Sequence, residues 1–156
     1  MRARKQRAAA TKLFRAVVQA YPDSAMAWYE LAMTLDGRGL EAEAVPLYRK
    51  ALRMGLPRRV SREAWTWLGS SLRKTGRAQA ALRCFARARA EGNTEAYVDA
   101  FEGHALLSLG RYARASAAFE RAIDKAGDQQ KWRWHQRRAA AQALKATGAV
   151  AGRGGS

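Results

Sequence analysis

The sequence predicts an all-α protein, and three observations carry that prediction. Alanine and arginine dominate the 156 residues, β-branched residues are scarce and only three prolines occur, which is a composition that favours helices. Apolar residues recur three and four positions apart, the spacing of one face of a helix with about 3.6 residues per turn. Two of the prolines, Pro22 and Pro57, stand between the apolar segments, where they do not interrupt a helix.

These periods place eight helices along the chain. In order, they are expected at about residues 3–20, 25–37, 41–54, 61–74, 78–90, 95–108, 112–126 and 129–147. Ser24, Ser61 and Thr94 precede helices, and their hydroxyl groups are suited to accept a hydrogen bond from the first turn as N-caps. A chain of this length forms one domain with a substantial core, here assigned to residues 1–147, and residues 148–156 are expected to form a flexible tail.

Three segments repeat one pattern of eight residues, separated by steps of 3, 1, 3, 4, 5, 4 and 3. The segments are Trp28, Leu31, Ala32, Leu35, Gly39, Ala44, Tyr48 and Ala51; Trp65, Leu68, Gly69, Leu72, Gly76, Ala81, Phe85 and Ala88; and Asp99, Glu102, Gly103, Leu106, Gly110, Ala115, Phe119 and Ala122. The fifth residue of each segment is a glycine in the turn between two helices, where a left-handed conformation is expected. These glycines are 37 and then 34 residues apart, and the three extra residues are assigned to the connector 56–60. Tandem repeats of this length predict a stack of helix pairs, because one pair cannot bury its apolar face alone.

This order of residues resembles the tetratricopeptide repeat, in which a tryptophan, a Leu-Gly pair, a glycine, an alanine and a large aromatic residue follow one another. The resemblance covers about residues 25–128 and reaches back to Ala10, Phe14, Val17 and Pro22. It implies a right-handed α-α superhelix of about three helix pairs, with an N-terminal half repeat and a C-terminal capping helix. The corresponding segments are a half repeat at 3–22, repeats at 25–58, 62–95 and 96–128, and a cap at 129–147.

The segment Ala64–Arg73 carries the motif Ala-Trp-x-x-Leu-Gly-Ser-Ser-Leu-Arg. It is similar to that of small stand-alone bacterial tetratricopeptide proteins, a group thought to act as dimers, so the likeness implies a homodimer as one candidate assembly. The third repeat departs from the family pattern, because Asp99 and Glu102 occupy normally apolar positions. This departure leaves open how the first helix of that repeat packs.

In tetratricopeptide proteins the first helix of each pair lines a concave groove that receives a segment of a partner. The resemblance assigns this partner-binding groove to Met26, Tyr29, Met33, Asp36, Glu63, Thr66, Ser70, Arg73, Lys74, Tyr97, His104 and Leu107. Methionine and tyrosine are adaptable contact residues, which suits peptide recognition. The alternative is that these side chains pack against a terminal helix or a second copy of the chain. A Lys and Asn clamp for a peptide carboxylate, as in some relatives, is not expected, because Glu30, Trp67 and Phe101 occupy the asparagine positions.

The formal net charge of +16, from 29 Lys and Arg against 13 Asp and Glu, favours an acidic partner, either a protein segment or a nucleic acid. A bias of GC-rich coding DNA towards arginine is the alternative explanation. The basic surface that an RNA-binding helical-repeat protein would use is assigned to Arg58, Arg59, Arg77, Arg83, Arg87, Arg133 and Arg137. Trp67, Trp132 and Trp134 are expected to mark a contact surface, because they are less easily buried than the tryptophans of the repeat pattern.

No catalytic, cofactor or metal site is predicted. His104 and His135 lie on different helices without a cysteine or carboxylate cluster at ligand spacing, and Cys84, the only cysteine, is expected to be a buried apolar residue. One cysteine allows no internal disulfide and no apolar stretch is long enough for a membrane span, so a cytoplasmic protein without a membrane partner is expected. The sequence therefore predicts a non-enzymatic scaffold or adaptor that binds a protein or peptide segment, with RNA binding as the alternative.

Overall fold

The computed structural model describes residues 2–148, apart from the side chains of residues 2, 4, 128–130 and 132. Over this range all regular secondary structure is helical, in the order α1 (Arg2–Ala20), α2 (Ala25–Asp36), α3 (Glu41–Met54), α4 (Arg58–Lys74), α5 (Ala78–Ala90), α6 (Ala96–Ser108), α7 (Tyr112–Lys125) and α8 (Asp128–Ala146). The all-α class and the positions of the eight predicted helices are thereby confirmed. The side chain of Trp132 and residues 149–156, which hold most of the predicted tail, lie outside the described part of the chain.

Each helix packs against the next one in the chain, and α4 also contacts α2 and α6. The first helices of the pairs thus lie side by side and form what we call the first-helix face. The second helices, α3, α5 and α7, form the second-helix face. Tyr48, Phe85 and Phe119 are fully buried between the two layers, so each repeat contributes one large ring to the core. This stack agrees with the repeat pattern, whereas the handedness of the superhelix stays a prediction.

Gly69 and Gly103 let two of these rings approach the neighbouring backbone. A Cβ atom at Gly69 would lie 2.5 Å from the ring of Phe85, and one at Gly103 would lie 2.7 Å from the ring of Phe119. Both distances are shorter than van der Waals contact, so even alanine would displace the ring. The pair Gly69 and Phe85 is repeated 34 residues later as Gly103 and Phe119, which shows that these two repeats use the same packing.

The observed helix ends can be compared with the predicted turns and N-caps. Gly39, Gly76 and Gly110 have φ angles of 78°, 82° and 67°, which confirms the left-handed turns between paired helices. The hydroxyl of Ser24 accepts a hydrogen bond from the backbone N–H of Ala27, which confirms that N-cap.

The other two predicted N-caps were wrong. Ser61 lies inside α4, which begins at Arg58 directly after Pro57, and Thr94 lies before the N-cap residue Glu95 of α6. The three extra residues of the second repeat therefore lengthen α4 to 17 residues, against 12 in α2 and 13 in α6. A proline just before a helix favours this early start, because its fixed φ suits the helix entrance and its missing N–H is not needed there.

The third repeat packs closely, because its two acidic residues are paired. Asp99 is 1% exposed and accepts hydrogen bonds from Lys125 (2.7 Å), Arg89 (2.8 Å) and Arg121 (3.2 Å). Glu102 accepts from Arg121 (2.8 Å) and Arg89. Burial alone would raise the pKa of Asp99, but the hydrogen bonds from Lys125 and Arg121 and the charge of Arg89 hold that pKa below its ordinary value. We call these five residues the Asp99 network, and it joins α5, α6 and α7.

Between residues 2 and 148, no helix is both long and apolar enough to cross a membrane. In the same part of the chain, no three His, Cys, Asp or Glu side chains come together in a way that could hold a metal ion.

Candidate partner-binding surfaces

The first-helix face is electrically neutralised near its N-terminal end. The ammonium group of Lys74 lies 3.5 Å from a carboxylate oxygen of Asp36 and 3.1 Å from one of Glu41. The hydroxyl of Tyr48 donates a further hydrogen bond to Asp36 at 3.3 Å. Two of the residues assigned to the groove, Asp36 and Lys74, thus pair with each other across neighbouring repeats.

Three other residues assigned to the groove are buried, so little of their surface is open to a partner. Tyr29 is 6% exposed, Ser70 is 2% exposed and Thr66 is fully buried. The ring of Tyr29 packs against the Tyr48 ring at 6.1 Å, and the hydroxyl of Thr66 accepts a hydrogen bond from the amide of Asn93 at 3.0 Å. Tyr29 thus packs on α3 and Thr66 on the turn before α6, and the repeat pattern does not show that these positions are buried.

The centre of the face holds an aromatic cluster. The rings of Trp67 and Tyr97 stack at 5.8 Å with an interplanar angle of 9°, and Phe101 contacts both rings at 5.9 Å. Trp67 is half-buried by these contacts, so its expected role as an exposed contact residue is replaced largely by packing. Among the other assigned groove residues, Met26 is exposed, and those that remain partly accessible are Met33, Glu63, Arg73, Tyr97, His104 and Leu107.

The accessible charge of this face is concentrated where α6 meets α8. His104, Arg133, Trp134, Gln136 and Arg137 line a pocket of about 450 Å³, which we call the basic pocket. None of these lining residues is acidic. The sequence pointed to His104, Arg133 and Arg137 separately, but it gave no sign that α6 and α8 bring them together.

The imidazole of His104 is neutral at neutral pH because of its surroundings. Burial lowers its pKa, the charges of Arg73 and Arg137 lower it further, and the result is a pKa of about 4. The ring stands edge-on to Phe119 at 5.1 Å, which fixes its orientation. The Nε atom of Arg73 is buried and has no hydrogen-bond partner among the described residues. Two guanidinium groups therefore impose a positive potential on a pocket whose described lining residues include no acidic side chain.

A second accessible depression lies on the opposite, second-helix face. It has a volume of about 520 Å³ between α3 and α5, with α4 beneath, and its lining residues are Arg49, Leu52, Arg53, Trp65, Leu68, Leu72, Ala80, Arg83, Cys84 and Arg87. We call it the arginine-rimmed groove. The repeat pattern identified Trp65, Leu68 and Leu72 as core residues. Leu68 and Leu72 are each 1% exposed and Trp65 is half-buried, and the pattern did not indicate that a groove lies over them.

The residues predicted as one basic surface are divided among separate places. Arg83 and Arg87 line the arginine-rimmed groove, whereas Arg133 and Arg137 line the basic pocket. The predicted set also includes Arg58 and Arg59 at the start of α4 and Arg77 beyond its end. Since a helix of 17 residues is about 25 Å long, these last two groups are far apart.

Comparison with known proteins agrees with the repeat architecture. Residues 25–143 match the family described as tetratrico peptide repeat. A crystal structure of MamA is similar, with 21% identity, 94% of each chain covered and a TM-score of 0.71, and a double mutant of MamA RS-1 has 19% identity, covers 92% of this chain and 78% of that one, and gives a TM-score of 0.78. YrrB, described as a TPR protein with an unusual peptide-binding site, has 19% identity, covers 91% of this chain and 71% of its own, and gives a TM-score of 0.74. No curated protein sequence matches the chain. Because the family match extends over most of the sequence, the chain belongs to the tetratricopeptide repeat family.

Proposed function

We propose that the protein is a non-enzymatic, cytoplasmic scaffold that binds an acidic segment of a partner protein on its first-helix face, with the basic pocket as the anchor. The observation that carries the proposal is the concentration of His104, Arg133 and Arg137 in a pocket where no described lining residue is acidic, beside the half-buried Arg73. The tetratricopeptide fold supports the general role, because stacked repeats present extended surfaces that suit partner binding.

The chemistry of the pocket favours a carboxylate next to an apolar side chain. Guanidinium groups bind carboxylates through charge-assisted hydrogen bonds, each worth about 1.5–3 kcal/mol when partly shielded from water. The neutral imidazole of His104 adds one further N–H donor. Trp134 packs against the apolar cluster around Leu106 and supplies a ring surface beside these donors. A segment with one or two Asp or Glu residues flanked by apolar residues matches this set of groups.

The proposal favours a protein segment over RNA and over a second copy of the chain. RNA binding is helped by a continuous basic track along the backbone, whereas the basic residues here are divided among separate places. A second copy would bring another +16 charge to a face that is already basic, which opposes self-association.

The proposal can be tested by fluorescence anisotropy with a labelled Glu- and Leu-rich peptide of about ten residues and a Lys-for-Glu peptide as its counterpart. The protein variant is R133E/R137E, and the matched control is R38E/R114E, which makes the same charge change at exposed positions outside the basic pocket. We expect the pocket variant to weaken binding of the Glu peptide at least about tenfold and the control to weaken it less than about threefold. Equal weakening by both variants would show that binding depends on net charge and not on the basic pocket. Tight binding of single-stranded RNA at physiological salt, without peptide binding, would favour the RNA-binding function instead.

The same titration has a second readout in the ring signals of His104. A bound carboxylate favours the imidazolium form, so we expect the pKa of His104 to rise from about 4 when the Glu peptide is present. An unchanged pKa of His104 at saturating peptide would place the peptide elsewhere.

A further inference from the structure

We propose that the arginine-rimmed groove on the second-helix face is a separate docking site for an acidic amphipathic helix of a partner protein. The groove lies between α3 and α5, and α4 forms its floor. The basic pocket lies between α6 and α8. No residue is shared by the two linings. The site therefore adds a second binding function to the one proposed above.

The floor of the groove is apolar. Its partly accessible apolar residues are Leu52, Trp65 and Ala80, whereas Leu68 and Leu72, which also line the groove, are each 1% exposed. Burial raises the pKa of Cys84 to about 11, so this side chain stays a neutral thiol and contributes to the apolar floor. A depression of about 520 Å³ is within the range of about 300–1,000 Å³ in which ligand sites commonly fall. The floor thus favours an occupant with apolar side chains.

The rim of the groove is positive and largely unpaired. Arg49, Arg53 and Arg83 are exposed and form no ion pair with any other described residue. The fourth rim residue, Arg87, donates a hydrogen bond to Glu91 at 3.0 Å and is the one rim arginine with an acidic partner among the described residues. Three free guanidinium groups around an apolar floor are complementary to an apolar stripe flanked by Asp or Glu.

We call the place where two neighbouring repeats meet a junction. The groove lies at the junction of α3, α4 and α5, and comparison with the next junction, that of α5, α6 and α7, indicates that this basic rim is specific to the groove. Three of the four rim arginines have alanines at the equivalent positions, 37 or 34 residues further along the chain: Ala86 for Arg49, Ala90 for Arg53 and Ala117 for Arg83. The fourth, Arg87, is matched by Arg121, which pairs with Asp99 and Glu102. The unpaired guanidinium groups are therefore found at the groove, and this arrangement suits an acidic, apolar partner.

A helix fits this site better than a nucleic acid does. Helices that bind in grooves present apolar residues at i, i+3, i+4 and i+7, and an inserted helix can align with the two helices that border the groove. A nucleic-acid backbone would satisfy the arginines but would leave the leucine floor without an apolar counterpart. Stacking of a base on Trp65 is hindered, because the ring is half-buried and its N–H is bound to Glu91 at 3.1 Å.

The direct test uses a fluorescein-labelled peptide of about 15 residues, four helical turns, with Leu at i, i+3, i+4 and i+7 and Glu at the flanking positions. Two comparison peptides keep its length, one with the same composition in scrambled order and one with Lys in place of Glu. The rim variant is R49E/R83E, and R38E/R114E is again the matched control, since Arg114 occupies the position equivalent to Ala80 at the next junction. Far-UV circular dichroism checks that each variant remains folded.

We expect the Glu-flanked amphipathic peptide to lose at least about tenfold in affinity on the rim variant and less than about threefold on the control or on R133E/R137E. Both comparison peptides should bind at least about tenfold more weakly than the designed one. The proposal is overturned if the scrambled peptide binds equally well, if rim and control variants weaken binding equally, or if R133E/R137E abolishes it. Displacement of the peptide by single-stranded RNA at physiological salt would likewise assign the groove to nucleic acid.

The unmodified protein provides a readout that does not depend on any variant. A helix in the groove covers Cys84, the only thiol, so its rate of alkylation by iodoacetamide should fall at least about fivefold at saturating designed peptide. The Lys-substituted peptide should leave the rate unchanged. An unaffected rate with the designed peptide bound would mean that the peptide occupies another surface.

Discussion

Two neighbouring junctions of the stack share one backbone plan and have opposite polarity. At the junction of α3, α4 and α5, the apolar residues Leu52, Trp65 and Leu68 form the floor of the arginine-rimmed groove. At the junction of α5, α6 and α7, the residues 37 or 34 positions further on are Arg89, Asp99 and Glu102. They form the centre of the Asp99 network, together with Arg121 and Lys125 on α7. The interior of the first junction is apolar, and that of the second is charged.

The comparison shows which part of the repeat fixes the fold and which part is free to vary. Both junctions keep the glycine and the buried ring, Gly69 with Phe85 and Gly103 with Phe119, and these set how closely the helices pair. The positions between neighbouring repeats accept either three apolar residues or three charged ones. The charged set is tolerated because all three positions differ together, so that each buried carboxylate meets a guanidinium or ammonium group. One junction can therefore serve stability while the other stays available to a partner.

Removing the central charge of the second junction should have the largest effect. We expect D99N to lower the free energy of unfolding by about 3 kcal/mol, the low end of the cost of breaking a buried ion pair. The low end applies because Arg89, Arg121 and Lys125 are partly exposed and regain some hydration. Urea denaturation followed by far-UV circular dichroism measures the loss, with D124N on the exposed side of α7 as the matched control. A loss below about 1 kcal/mol would show that the network contributes little.

Converting the whole second junction to the identity of the first should cost much less than breaking it. The variant R89L/D99W/E102L introduces the residues found at the equivalent positions of the first junction. We expect it to unfold within about 1–2 kcal/mol of the original protein, because replacing a buried ionic cluster by packed apolar residues is often close to neutral. D99W alone should be far less stable, since the ring would lie among Arg89, Arg121 and Lys125, and Lys125 would lose its acceptor. If the triple exchange is as unstable as the single one, the two junctions are not interchangeable.

Low pH should destabilise the second junction, as D99N does, and should affect the first junction less. The pKa of Asp99 lies below its unfolded value of about 4, so its contribution to stability is complete above that pH and is lost as the pH falls through the lower, folded value. We therefore expect the original protein to lose more stability on going below about pH 4 than R89L/D99W/E102L does. The part of the loss due to Asp99 cannot exceed the effect of D99N, because protonation removes the same charge. Parallel acid profiles would exclude Asp99 as the titrating group.

The sequence predicted the fold well because local signals and the repeat agree. The spacing around Gly39, Gly76 and Gly110 located every turn between paired helices, and a single chain carries that information without reference to distant contacts. The start of α4 was missed, because Ser61 is a good cap by residue type while Pro57 permits an earlier start. Such competing local signals are decided by the packing of the longer helix on its neighbours.

The surfaces were predicted less well than the fold, because they depend on residues far apart in the chain. The odd acidic residue Asp99 was noticed, but its partners on α5 and α7 are 10, 22 and 26 residues away, and periodicity does not pair them. Similarly, Tyr29 and Thr66 occupy the correct face of their helices and are nevertheless buried. Whether a position on a face is covered is set by the neighbouring helix, which the pattern of one helix does not describe.

The smallest effect concerns a cation that recurs in all three repeats and that meets a different partner in each. Lys50 lies 3.6 Å from the centre of the Trp28 ring, and Arg87 lies 5.9 Å from the centre of the Trp65 ring. The next equivalent position holds Arg121, which binds the Asp99 network instead. We expect K50M and R87M each to lower the free energy of unfolding by about 0.5 kcal/mol, the usual contribution of a cation–π contact near the surface, and R121M to lower it by more, because two carboxylates lose a partner. Urea denaturation of the three variants side by side measures the order. If all three losses are equal, the difference between the junctions does not extend to this cation, and its recurrence reflects surface charge alone.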